Sequence, residues 1–184
     1  AADFSVMSPD VVSQRIRTLD FLSRGQKGIV IVPISGIQKL LVPATVWKKS
    51  SIELAMGSEI ESMDAFVEQL VELGYRRENM VATPGEFALR GSIVDIYPLD
   101  QEYPLRLDFF DTEVDSIRAF NAETQRSMDV INEVRILPAT DLPLQKEAVW
   151  KAQAKIHALY EKDVKAAQSE ERKDQVSNIQ QAID

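Results

Sequence analysis

The sequence predicts a mixed α/β (α+β) chain: a small α/β piece, then an antiparallel sheet with a backing helix, then a helical C-terminal segment. Three observations carry this. Residues 105–110 (LRLDFF) and 113–120 (EVDSIRAF) alternate apolar and polar, the period of strands with one wet face. Residues 63–73 place Phe66, Val67, Leu70 and Leu73 on one side of a helix. From Leu144 the composition shifts to Ala, Lys, Glu and Gln, with Val149, Ala152, Ile156 and Leu159 again at helical spacing.

In order, Ser8-Pro9-Asp10 reads as a helix start, with Ser8 as cap and Pro9 at the first position. Val11, Val12, Ile16, Leu19, Phe21 and Leu22 form its apolar stripe, and Gly25 and Gly28 break it. Residues 28–33 (GIVIVP) are a near-continuous apolar run, expected to be a strand buried on both faces, as in parallel sheets under helices. Its partner strands are expected outside this chain or in the next module. Ser35 is expected to cap a short helix over 36–41, ended by Pro43. Trp47 to Ser51 reads as a basic linker, and Ile52 to Met56 as a strand turned by Gly57. Ser62 caps the helix at 63–73, with Asp64 in its first turn and Gly74 behind it.

Residues 75–117 predict an antiparallel meander. Asn79 to Thr83 is a strand candidate, followed across Pro84-Gly85 by a mostly apolar strand at 92–97 (SIVDIY) with Asp95 as the exception. Pro98 to Pro104 is turn-like, 105–110 completes the meander, and 113–120 alternates again after it. Asn121 to Ser127 is a polar turn, and 131–137 alternate again up to Pro138. Beyond Tyr160 the helical stripe thins to Val164, Val176, Ile179 and Ile183, which reads as one or two helices with the last poorly anchored.

With 184 residues, the chain can hold one domain or two small ones. Its net charge of −8 argues against a broad nucleic-acid footprint, which needs clustered Lys and Arg. The absence of cysteine removes disulfides, thiol catalysis and cysteine metal sites, and suits a cytoplasmic protein. No apolar run approaches the ~20 residues of a membrane span, so no membrane partner is expected. The first residues lack the features of a signal peptide and lack a starting Met, so a piece of a longer protein is expected.

Catalytic chemistry finds little support. Gly25-Gln26-Lys27-Gly28 is far from a phosphate loop, so neither an NTPase nor a bound cofactor is expected. His157, the only histidine, reads as a solvated helix position. Asp108, Asp111, Glu113 and Asp115 could hold a divalent cation, but strand alternation and turn chemistry account for them, so no metal is expected. One histidine without a nucleophile elbow leaves no Ser–His–Asp set. The arginines of the meander are more informative. Arg76, Arg77 and Arg90 surround Glu86 and Phe87, and guanidinium forks beside an aromatic are the usual composition of an interface. The bland reading is surface strands with a core Phe87. A rival reading is a DNA-binding surface built from Arg15, Arg17, Arg24, Lys27, Lys48 and Lys49, which a steep salt dependence would reveal.

The block from Gly74 to Ser127 resembles one shared by the bacterial transcription-repair coupling factors (Mfd) and the excision-repair helicase subunit UvrB. The matching residues are Gly85, Phe87, Arg90 and Gly91; Asp95, Ile96 and Pro98; Arg106, Phe109, Phe110 and Asp111; and Thr124 to Ser127. The wording FFDTEVDSIR and ETQRS is nearer to the coupling factors. The resemblance implies three regions: 1–48, a partial α/β segment like UvrB domain 1a and helicase-like in kind; 49–128, a UvrA-interaction domain; and 129–184, the start of a mostly helical domain 1b. It implies a non-catalytic module that recruits UvrA to stalled RNA polymerase in nucleotide excision repair. Polymerase binding and the ATP-driven translocase are expected in parts of such proteins not visible here. The implied UvrA contacts are Arg76, Arg77, Glu86, Phe87 and Arg90. Two departures stand out. Ala88 replaces a further arginine of UvrB, and the long aromatic hairpin that UvrB inserts into damaged DNA is missing, so damage verification is not expected.

Overall fold

The computed structural model describes residues 8–38, 41–143 and 150–165. The chain divides into two compact units, Ala1–Pro143 and Leu144–Asp184. The first is mixed α and β, as the alternation patterns require. It opens with α1 (Pro9–Ser23), preceded by Ser8 in extended conformation, whose side chain makes no capping bond. Short helices α2 (Ile34–Ile37) and α3 (Ala44–Lys49) follow. Ile16 of α1, Trp47 of α3 and Leu137 bury one another in a small core of their own.

Three sequence expectations fail here. Residues 28–33 form no strand, and Ile29 and Ile31 are 92 % and 93 % exposed. A strand needs a partner for its backbone groups, and none of the described residues pairs with this run. Ser35 lies inside α2, whose N-cap is Pro33. The supposed linker at 47–51 belongs mostly to α3, because Trp47 has a core to enter on one side of that helix.

The rest of this unit is a two-layer α+β structure. Strand β1 (Ile52–Ala55) leads through Gly57 to α4 (Met63–Glu72). Ser62 caps α4 by accepting from the Ala65 N–H at 3.1 Å, a bond that contributes about 1 kcal/mol. Gly74 ends it at φ +90, with the Thr140 methyl 2.8 Å from where a Cβ would sit. Any side chain there meets both strain and a clash. A six-stranded sheet follows in the order β2 (Arg76–Arg77), β3 (Glu86–Arg90), β4 (Ile93–Ile96), β5 (Leu105–Phe110), β6 (Glu113–Phe120) and β7 (Ser127–Val130). Strand β8 (Glu133–Ile136) leaves this sheet and pairs antiparallel with β1, Ile52 facing Ile136.

From β3 to β7 every pairing is antiparallel, as expected for the strands at 92–97 and 105–110, whereas β3 and β7 are strands the sequence reading did not expect. The expected strand at 79–83 is absent. Arg76 and Arg77 form the edge strand instead, and they pair parallel to β3. The 79–83 stretch becomes the crossover that a parallel pair requires. One sheet face packs on α4. Phe66 and Leu70 meet Phe87, Val94, Ile96, Leu107, Phe109 and Ile117, and each such side chain contributes about 1.5–3 kcal/mol by leaving water. Phe66 and Phe109 are tilted rings with centroids 5.6 Å apart. Tyr75 ties the two sheets together, its buried hydroxyl donating to the Leu137 carbonyl at 2.7 Å.

In the second unit, residues 150–165 are helical. His157 is exposed there, 3.6 Å from Glu161 one turn on. Val149, Val176, Ile179 and Ile183 lie outside the described residues.

Candidate partner-binding surface

The β3–β4 hairpin sets the site. Arg90 and Ile93 are paired across the two-residue turn Gly91-Ser92, with Gly91 at φ +62, a value that favours glycine. Alternation then puts Glu86, Ala88 and Arg90 on the face away from α4, and Phe87 toward it. Phe87 is 0 % exposed and sits in the main core. The aromatic expected to meet a partner is therefore inside the fold, because its register places it over Ile96 and the α4 cluster.

Glu86 also turns inward. Its carboxylate accepts from the Ala82 and Thr83 N–H groups, both at 2.9 Å, and from the Thr83 hydroxyl at 2.7 Å. Arg76 approaches it at 3.4 Å. Glu86 thus holds the crossover loop rather than offering charge to a partner. Burial raises its carboxyl, but these donors and the Arg76 charge together outweigh that and lower it below its usual value. The unfolded chain takes up this proton at higher pH than the folded one. The stability contributed by the ionised group is therefore full above about pH 4.3 and lost as pH falls through the lower folded value. Glu86→Gln is expected to cost about 1–3 kcal/mol at neutral pH and to flatten the acid-side decline. Urea denaturation at a series of pH values reads this, and equal slopes in the two proteins would contradict it.

The arginines divide differently. Arg76 is 68 % exposed on the edge strand, and Arg77 beside it is exposed with no hydrogen bond or ion pair among the described residues. Arg90 is 47 % exposed and binds Asp95 through one terminal nitrogen. Asp95 is 1 % exposed, and Arg106 grips it twice, at 2.7 and 2.9 Å. Hydrogen bonding to Asp95 raises the Arg106 guanidinium above its already high value, against the opposing effect of burial. Arg106 also lies 4.6 Å over the Phe120 ring. Ala88, Asp95, Arg106 and Arg118 stand in one cross-strand row, which continues to Val130 of β7, and Arg118 is exposed. Ala88 is buried with Val81 and Phe120, so the position where UvrB carries an extra arginine is closed by packing here.

Sequence reasoning named Asp95 and Arg106 but gave them no part in the surface, and did not single out Arg118. A signal existed for the first: a single acid in an apolar strand must find a partner when buried. Of the rival basic set, the three arginines are engaged in the fold, while Lys27, Lys48 and Lys49 are exposed. Arg15 binds Asp141 at 2.6 Å and the Gly36 carbonyl at 3.0 Å, Arg17 donates to the Asp100 carbonyl, and Arg24 faces Asp20. Among the described residues, no group of three or more His, Asp or Glu could hold a metal ion, and no helix is long and apolar enough to cross a membrane.

Residues 52–142, which hold this helix-backed sheet, match the UvrB interaction domain. The chain belongs to the family of the transcription-repair coupling factors, in which it carries that domain. It is 48 % identical over 159 residues to the transcription-repair-coupling factor of Staphylococcus epidermidis. The corresponding proteins of Staphylococcus haemolyticus and Staphylococcus aureus are 46 % and 45 % identical over the same length. Each match covers 86 % of this chain and 13 % of the relative, so the chain spans a small part of the proteins it resembles.

Proposed function

We propose that this chain is a non-catalytic docking module for UvrA, acting in the cytoplasm in transcription-coupled excision repair. The observation that carries the reading is the state of two arginines. Arg77 has no partner among the described residues and Arg90 only one, and both are exposed in a chain of net charge −8. Guanidinium forks held out from a stiff sheet suit carboxylates on a partner. Arg76 adds charge beside them. Glu86 and Phe87 support the surface from within, as loop anchor and core. The match of residues 52–142 to the UvrB interaction domain supports a partner of the UvrA type. Polymerase contact and ATP-driven movement on DNA form no part of the role proposed for this chain.

The test is UvrA binding by the wild type and by Arg77→Ala/Arg90→Ala, with the fold checked by circular dichroism. A charge-assisted hydrogen bond is worth about 1.5–3 kcal/mol, so the double variant is expected to bind on the order of 100-fold more weakly. An unchanged affinity would remove both residues from the surface and this reading with them.

A further inference from the structure

Asp95 is the most deeply buried charged residue among those described, and its partners form a relay that ends at the surface. Arg106 is immobilised first. It stacks on Phe120, donates to the Gln125 carbonyl at 3.4 Å, and takes both oxygens of Asp95. Asp95 cannot then swing outward. Its Oδ2 still accepts from Arg90, diagonally across the β3–β4 hairpin. Arg90 uses a single terminal nitrogen for this bond, and its Nε and other terminal nitrogen make no hydrogen bond among the described residues.

From this geometry we infer that Asp95, locked by Arg106, is a positioning residue that orients the Arg90 guanidinium toward a carboxylate of the docking partner. The inference rests on the docking function proposed above. Two physical effects favour it. A long arginine side chain loses much rotamer freedom on binding, and an arm ordered beforehand loses less. One carboxylate between two guanidinium groups also leaves the cluster with a net positive charge. Asp95 therefore holds Arg90 without cancelling its attraction for an acidic partner, and the exposed Arg118 in the same row adds to that field.

The experiment measures UvrA affinity for the wild type, Arg90→Ala, Asp95→Asn and the double variant, each checked for fold. Asp95→Asn keeps the shape and removes the charge. It is expected to weaken binding about tenfold in the wild-type background and to have no effect in the Arg90→Ala background. A merely structural role would lower affinity equally in both, and that result, or wild-type affinity for folded Asp95→Asn, overturns the inference. Loss of the docking reading looks different, since Arg90→Ala would then bind like the wild type. Should Asp95→Asn not fold, side-chain NMR of the wild-type chain decides. An ordered Arg90 guanidinium with restricted rotation is expected, and a freely rotating one overturns the proposal.

Discussion

Phe87→Ala is expected to destabilise the sheet by about 3–5 kcal/mol, the usual cost of truncating a fully buried phenylalanine. The ring is 0 % exposed and packs in the cluster that includes Phe66, Leu70 and Ile96. Its removal takes apolar surface out of the core and leaves a cavity that α4 and the sheet cannot close, because both are tied at their ends by Ser62 and by the strand register. Affinity for UvrA, measured on the folded protein, is expected to stay within about twofold of wild type, since no ring surface is lost to a partner. Chemical denaturation and a binding titration on the same preparation check both halves. A variant that denatured like the wild type yet bound poorly would return Phe87 to the contact surface.

Arg106→Ala is expected to cost about 3–5 kcal/mol, for a different reason. Asp95 is 1 % exposed, and losing Arg106 strips two of the three hydrogen bonds that compensate its charge. The cation over Phe120 goes with it. Removing both charges together is milder, because no unpaired ion is left behind. Asp95→Leu/Arg106→Met is thus expected to recover much of the stability lost in the single variant. The midpoints of urea denaturation for the single and double variants decide this. A double variant as unstable as Arg106→Ala would show that shape at this site outweighs charge.

How much of this was legible beforehand depends on the range of the interaction. The helix at 63–72, its Ser62 cap and the strand at 113–120 follow from spacing within one element, and the structure has them nearly where the pattern puts them. The run at 28–33 shows the limit of such patterns. Four consecutive β-branched apolar residues predict a buried strand, but burial needs neighbours, and Ile29 and Ile31 are exposed. The two-residue strand at Arg76–Arg77 was hidden for the opposite reason. It is too short to have a period, and it exists because β3 offers it an edge.

The candidate surface divides along the same line. From residue order alone came the fold class, the antiparallel core of the sheet, and the clustering of Arg76, Arg77 and Arg90 around one hairpin, because alternation and turn chemistry are local properties of the chain. Only the tertiary structure decided which neighbours face out. It turned Glu86 to the crossover loop and Phe87 to the core, and it joined Arg90 to Asp95 and Asp95 to Arg106, eleven residues further on in the next strand. Those pairings depend on register between strands, and register is set by the packing of the whole sheet against its helix.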